Sequence, residues 1–196
     1  RFNILQSPLP SVVKKTKRIQ TNPSIVRDPS KCIRCGRCIR ACKDVQGIAA
    51  LTYAHRSSDI VVTTAYNKPM EDTDCVLCGQ CSLVCPTGAI VEKDDTQRVL
   101  DVLQDPSKHV VVQVAPAVRV ALGDAFGMEP GTIATGQMVT ALKLLGFNKV
   151  FDTNFGADLT IMEESAEFVE RLTKGGVLPM MTSCSPGWVN YMEKHY

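Results

Sequence analysis

An α+β half followed by an α/β half is the fold class that the sequence predicts, and three observations carry it. Two cysteine runs of identical spacing, Cys32, Cys35, Cys38, Cys42 and Cys75, Cys78, Cys81, Cys85, form an internal repeat. The composition then changes at Asp94, and no cysteine follows Cys85 until Cys184. Beyond that point β-branched runs alternate with helical stretches, the pattern of an α/β domain.

Each cysteine run has two residues between its first and second members, two between the second and third, and three before the fourth. This is the spacing of a ferredoxin that carries two 4Fe–4S cubanes. A Cys-x-x-Cys-x-x-Cys loop can curl three sulfurs onto three corners of one cubane. The fourth cysteine lies past the turn, points away and serves the other cluster. The expected ligand sets are therefore crossed: Cys32, Cys35, Cys38 and Cys85 for one cubane, Cys75, Cys78, Cys81 and Cys42 for the other. Gly36 and Gly79 follow the second cysteine of each run and would let the backbone approach the sulfides. Disulfides are the first competing reading, but they need an oxidising compartment and usually an even count, and this chain has nine cysteines. Structural zinc is the second, but it favours paired knuckles over two four-cysteine runs in register.

The 196 residues allow one large or two small domains, and 44% hydrophobic residues suffice for a core. A net charge of +2 predicts no nucleic-acid or membrane partner. No apolar run approaches the length of a membrane span, and the start has no signal-peptide pattern. The chain opens without methionine and stops at His195-Tyr196 within a helical pattern, so it reads as a segment of a longer protein. The domain reading is a linker over 1–23, a two-cluster domain over 24–95, and the first part of an α/β domain over 96–196.

In order, residues 1–31 are basic, with Lys14, Lys15, Lys17 and Arg18 as a positive cluster that reads as a solvated linker or, alternatively, a docking strip for an acidic neighbour. Ser24 to Arg27 reads as a strand entering the first cluster loop. A short helix is expected near Ala41 to Val45, a hairpin within 48–65, and a closing strand at Ile90-Val91. Gln97 to Leu103 reads as a connecting helix. Val110 to Val114 reads as a strand buried on both faces. Helices follow at Val118 to Phe126, closed by Gly127, and at Thr135 to Leu145, with Met138, Ala141, Leu142 and Leu145 on one face and Gly146 as cap. Lys149 to Asp152 is expected as a second strand. Asp158 to Thr173 is a long helix capped by Gly175-Gly176, and Leu178 to Thr182 a third strand.

Cys184 follows that last strand and precedes Pro186, where a helix is expected to begin. Strand ends before helix N-termini are common sites of chemistry in α/β sheets, and helix amides favour a thiolate. A lone cysteine is nevertheless more often a small buried hydrophobe. Glu164, Glu167 and Arg171 sit at i, i+3 and i+7 of the long helix, so they form either a polar track or a solvated face with a Glu167–Arg171 pair.

The stretch Pro179-Met180-Met181-Thr182-Ser183-Cys184-Ser185-Pro186-Gly187-Trp188 resembles the first H-cluster motif of FeFe-hydrogenases. Phe151-Asp152-Thr153-Asn154-Phe155-Gly156-Ala157-Asp158-Leu159-Thr160-Ile161-Met162-Glu163-Glu164 is similar to the segment before it in that family. Val114-Ala115-Pro116 and Val118-Arg119 resemble the strand that approaches the diiron site, and the two-cubane module resembles the family's accessory domain. The resemblance runs from about Ser24 to Tyr196 and is specific because several motifs agree in order. It implies the start of an α/β hydrogenase large-subunit domain behind the ferredoxin-like one. It implies reversible reduction of protons to dihydrogen at an H-cluster, a 4Fe–4S cubane joined to a diiron subsite, which forms only with a C-terminal part outside this sequence. It implies Cys184 as the proton donor beside the diiron subsite and Glu164, Glu167 and Arg171 as its relay to the surface. Ala115, Pro116 and Ser185 would line the cofactor. The implied electron partner is a soluble ferredoxin or an NAD(P)-linked flavin or iron–sulfur subunit, in a possible hetero-oligomer in the cytoplasm.

Two departures stand out. The family usually has two adjacent cysteines where this chain has Cys184-Ser185, so a cubane ligand is replaced by serine, a poor substitute for thiolate. Ala117 stands where the family often has a hydroxyl residue. The competing function is therefore a non-catalytic electron-transfer or cluster-carrier protein on the same scaffold.

Overall fold

The computed structural model describes residues 16–196, which form two compact units. One comprises the chain up to Lys93 together with Thr182–Tyr196, and the other is Asp94–Met181. Of the basic cluster near the start, Lys14 and Lys15 lie outside the described residues, and Lys17 and Arg18 are exposed.

The first unit is built on two short antiparallel ladders. Strand β1 (Ile25–Arg27) pairs with β4 (Ile90–Glu92), joining the entry to the first cysteine loop with the exit from the second. Asn22 starts β1: its side-chain Oδ1 accepts the Ser24 and Ile25 amides at 2.9 and 3.0 Å. Ile19 adds a single antiparallel bridge to Arg27, so the segment expected as a plain linker contributes to this edge. Strands β2 (Thr52–Ala54) and β3 (Val61–Thr63) form the expected hairpin. Helix α1 (Arg37–Arg40) continues into a π-helical turn at Ala41–Val45, and α2 (Gln80–Leu83) is its counterpart after the second loop. Ile25, Cys38, Leu51, Met70 and Ile90 pack as the buried core, with Cys75, Cys81 and Cys85 against it. A second cluster of Ile48, Ala50 and Val76 receives Tyr191 from helix α7 (Pro186–His195).

The second unit is α/β. Helix α3 (Thr96–Leu103) leads to β5 (Val111–Val114), α4 (Pro116–Ala125), α5 (Thr135–Leu144), β6 (Lys149–Asp152) and the 22-residue α6 (Thr153–Lys174). Strands β5 and β6 are parallel, Val111 opposite Lys149 through Val114 opposite Asp152. Three expectations are corrected here. Strand β5 is not buried on both faces: Val111 is 50% exposed and only Val114 is buried, because the described sheet has two strands. On α5 only Met138 is buried, and Leu145 is exposed. Residues 178–182 form no strand; Pro179 has no N–H to give to a ladder, and no described strand runs beside them. Helix α6 also begins five residues before the expected start, because the Asp152 carboxylate accepts the Asn154 amide as N-cap. Gly175, at φ 80°, closes it in the left-handed conformation. Among the described residues no helix is long and apolar enough to cross a membrane.

Candidate functional site: two cysteine cavities and a cysteine before a helix

The repeat in sequence is a repeat in backbone geometry. Arg34 and Leu77, each just before the second cysteine of its run, have φ 60° and 62°. Gly36 and Gly79, just after it, both have φ 71°. A left-handed conformation in a non-glycine residue is uncommon, and here it occurs twice at matching positions. It turns successive amides inward, the geometry of an anion nest. The Arg34 amide donates to Cys32 Sγ at 3.4 Å, and the Leu77 amide bonds Cys75 in the same way. Gly36 is the tighter position: a Cβ there would collide with the Tyr53 hydroxyl, which donates to the Arg34 carbonyl at 2.9 Å. A Cβ on Gly79 would meet nothing.

Two cavities follow from this fold. One is lined by Cys32, Cys35, Cys38 and Cys85 together with Arg27. The other is lined by Cys42, Cys75, Cys78 and Cys81 together with Asn22. Each draws three cysteines from one run and the fourth from the other. All nine cysteines of the chain are free. Among the described residues no three His, Cys, Asp or Glu side chains stand close enough to hold a single metal ion. A cubane instead spreads its four thiolates around the corners of a larger body.

Electrostatics follow burial. Burial pushes the Cys38 thiol up, partly offset by the Ile39 amide, with Cys32, Cys35 and Cys85 adding to the rise. Burial likewise raises Cys75. Cys81 is pushed up to about 12, by burial first and then by Cys75, Cys78, Cys42 and Cys38. At Cys85 burial also acts upward, but hydrogen bonds from the Thr87, Ile90 and Ala89 amides and the Thr87 hydroxyl outweigh it, and the thiol lies below its ordinary value. Arg27 is 7% exposed and donates to the Val62 carbonyl at 2.6 Å. Desolvation lowers its pKa, while Cys38, Cys81 and Cys32 act to hold its charge. Both features fit an anionic iron–sulfur group: thiols that are costly to ionise alone, and amides and a cation turned towards them.

Helix α7 stands against the second loop. Lys194 Nζ donates to the carbonyls of Thr73 and Cys75 at 2.9 and 2.8 Å. A Cβ on Gly187 would sit 3.3 Å from Cys78 Cβ, a tight contact that places the start of α7 directly against the loop. Ser185 is the N-cap of α7: its Oγ accepts the Trp188 amide at 3.4 Å, and its own amide donates to Ser183 Oγ at 3.1 Å. Cys184 is exposed immediately before it.

In the second unit Ala115 and Pro116 mark the carboxyl end of β5, Ala115 as N-cap of α4 and Pro116 as its first residue. Asp152 at the matching end of β6 takes Arg119 at 2.9 Å on Oδ2 while Oδ1 caps α6. Thr153 Oγ1 donates to the Val114 carbonyl at 2.7 Å, stitching the two strand ends together. On α6 the Arg171 guanidinium grips Glu167 through two nitrogens, one at 3.0 Å, and also donates to the Val177 carbonyl at 3.2 Å. Glu164 is half-buried one turn earlier on α6. Cys184 belongs to the first unit and these three α6 residues to the second. Asn22 and Arg27 were not singled out from sequence; their position before and on β1, beside the loops, is the signal that marks them.

Residues 108–196 match the family described as iron only hydrogenase large subunit, C-terminal domain, and residues 31–89 match the 4Fe-4S dicluster domain. The NADP-reducing hydrogenase subunit HndD of Solidesulfovibrio fructosivorans is 46% identical over 100% of this chain and 34% of its own length. Iron hydrogenase 1 of Clostridium pasteurianum is 44% identical over 90% of this chain and 31% of its own. The cytosolic iron-sulfur assembly component 3 of Mus musculus is 30% identical over 62% of this chain and 27% of its own length. The chain thus spans about a third of the length of the hydrogenase relatives it matches. With its dicluster domain ahead of an iron-only hydrogenase large-subunit domain, the chain belongs to the FeFe-hydrogenase family.

Proposed function

We propose that the complete protein interconverts protons and dihydrogen, and that this chain supplies its electron relay and the first part of its catalytic domain. The supporting observation is the crossed grouping of the cysteines, four around each of two cavities. In this reading Cys32, Cys35, Cys38 and Cys85 hold one 4Fe–4S cubane and Cys42, Cys75, Cys78 and Cys81 the other. The bound cubanes would carry one electron at a time. The chain's own part is to fix them: inward amides at Arg34 and Leu77 stabilise the ligating sulfurs, and buried Arg27 balances their charge. The closeness of Gly187 to Cys78 supports the second cavity as the one that faces the Cys184 segment.

On the proton side, Cys184 would give and take the proton at the diiron subsite, with Glu164, Glu167 and Arg171 leading to the surface. The Glu167–Arg171 contact supports the outer end of that path. Ala115, Pro116 and Ser185 would line the H-cluster pocket, which needs ligands beyond this sequence. We take the two-cluster domain as 24–95 and the catalytic domain as beginning at 96. The electron partner would be a soluble ferredoxin or an NAD(P)-linked flavin or iron–sulfur subunit, the latter favoured by the name of the HndD relative. Exposed Lys31, Arg34, Arg37, Arg40 and Lys43 around the first loop suit an acidic carrier. A reducing compartment such as the cytoplasm suits nine free thiols.

The second reading, a cluster carrier without hydrogen turnover, is favoured by Ser185 acting as a helix cap where the family usually has a ligating cysteine. One experiment separates the two. The full-length protein, matured anaerobically, is assayed for hydrogen evolution beside its Cys184→Ala variant. We expect turnover in the parent and a loss of about a hundredfold or more in the variant, the usual weight of a proton-transfer group. The electron paramagnetic resonance signals of the accessory clusters should be retained. A full-length protein that binds iron and evolves no hydrogen would favour the carrier.

A further inference from the structure

Asn22 precedes both cysteine runs, is 3% exposed, and lines the cavity of Cys42, Cys75, Cys78 and Cys81. Its two ends are distinguishable. Oδ1 is committed to the Ser24 and Ile25 amides, so the other end must be the NH2 group. That nitrogen is buried and has no hydrogen-bond partner among the described residues. A buried donor left unpaired costs about 1–3 kcal/mol, so a protein rarely keeps one without an acceptor in prospect. Gln46 and Gln80 also line this cavity, but neither side chain bonds this nitrogen. The remaining residues offer thiols and apolar groups, and the Ser24 hydroxyl already donates to the Leu77 carbonyl at 3.0 Å.

We infer that Asn22 is a positioning and tuning residue of the Cys42, Cys75, Cys78 and Cys81 site, its Nδ2–H donating to a sulfur of the iron–sulfur group bound there. The inference rests on the two-cluster reading above. It assigns a role to a residue outside both cysteine motifs, and it makes the two sites unequal. A neutral amide faces one cavity, and the Arg27 cation lines the other. A hydrogen bond to a cluster sulfur stabilises the more negative, reduced state and so raises the reduction potential.

The test is a redox titration of the iron-loaded chain followed by electron paramagnetic resonance, with iron and sulfide measured first. Asn22→Asp keeps an oxygen for the Ser24 and Ile25 amides and removes the donor. We expect one of the two potentials to move to a more negative value while the other stays within error, at full iron content. Unchanged potentials at full loading overturn the inference, as does an equal shift of both, which a general loosening of the fold would give. Should Asn22→Asp fail to retain iron, the wild-type protein labelled with 15N-asparagine decides: a hyperfine coupling from the amide nitrogen to one reduced cluster supports the inference, and its absence overturns it. Wild-type protein that takes up no iron and sulfide overturns the two-cluster reading itself, an outcome distinct from the others.

Discussion

Arg27 is a buried cation with no carboxylate paired to it among the described residues; what surrounds it is a carbonyl and cysteine sulfurs. Burying a charge is costly unless a counter-charge compensates it. In the metal-free protein near neutral pH the raised Cys38 and Cys81 thiols hold their protons and cannot yet supply that counter-charge. With anionic iron–sulfur groups in place it is offset. Arg27→Met should therefore act in opposite directions. We expect urea melts of the metal-free variant to show unchanged or higher stability, by about 1 kcal/mol or more. We expect the loaded variant to release iron to a chelator faster than the parent. Equal destabilisation of both forms would mean that the side chain matters only for packing. At this scale the sequence was legible where chemistry and spacing coincide, as in the eight run cysteines. It was silent on Arg27 and Asn22, because burial of a polar side chain depends on contacts far along the chain, such as Val62 and Cys81.

The two cysteine loops share a backbone path but not its surroundings. Both Gly36 and Gly79 adopt φ 71°, where a side chain costs about 1–2 kcal/mol. At Gly36 a methyl group would in addition meet the Tyr53 hydroxyl and Arg40 Nη1, the latter at 3.3 Å. Gly36→Ala should thus lower the denaturation midpoint more than Gly79→Ala and weaken iron retention at the Cys32 loop first, as read from denaturant titrations and timed iron release. Equal effects would show that Tyr53 moves aside freely. Among the elements, β1, the hairpin, β4, β6 and α7 stand close to where residue patterns put them, because turns, β-branched runs and Pro186 are local signals. The strand expected at 178–182 failed for a non-local reason: a strand needs a neighbour, no described strand lies beside it, and Pro179 has no N–H to donate. Helix α6 outran its pattern because Asp152 serves strand and cap together.

Across the molecule, the division into a cysteine-bearing unit and an α/β unit follows the change of composition at Asp94, apart from Thr182–Tyr196, which packs with the first. That exception was not legible, since nothing local in Tyr191 or Lys194 names the loop they contact. The cysteine unit also sets a pH response. In the folded metal-free chain Cys81 is pushed up to about 12 from an ordinary 9.0, and Cys38 and Cys75 are raised as well. A folded state that holds its protons more tightly than the unfolded one is stabilised below the unfolded value and loses that stability as pH rises through the folded one. Melting temperatures of metal-free protein should accordingly hold up to about pH 9 and fall progressively towards about 12. The iron-loaded protein, its thiols already deprotonated, should lack this decline. A flat profile for the metal-free form would mean that these thiols are wet.

Helix α7 is clamped at both ends to the Cys75–Cys81 loop, through Gly187 against Cys78 and through Lys194 on the Thr73 and Cys75 carbonyls. The ground beneath Ser183-Cys184 is therefore laid by that loop. Whatever empties or distorts its cysteine cage tilts the footing on which the next stretch of polypeptide must be built, so oxidative damage to one would be inherited by the other.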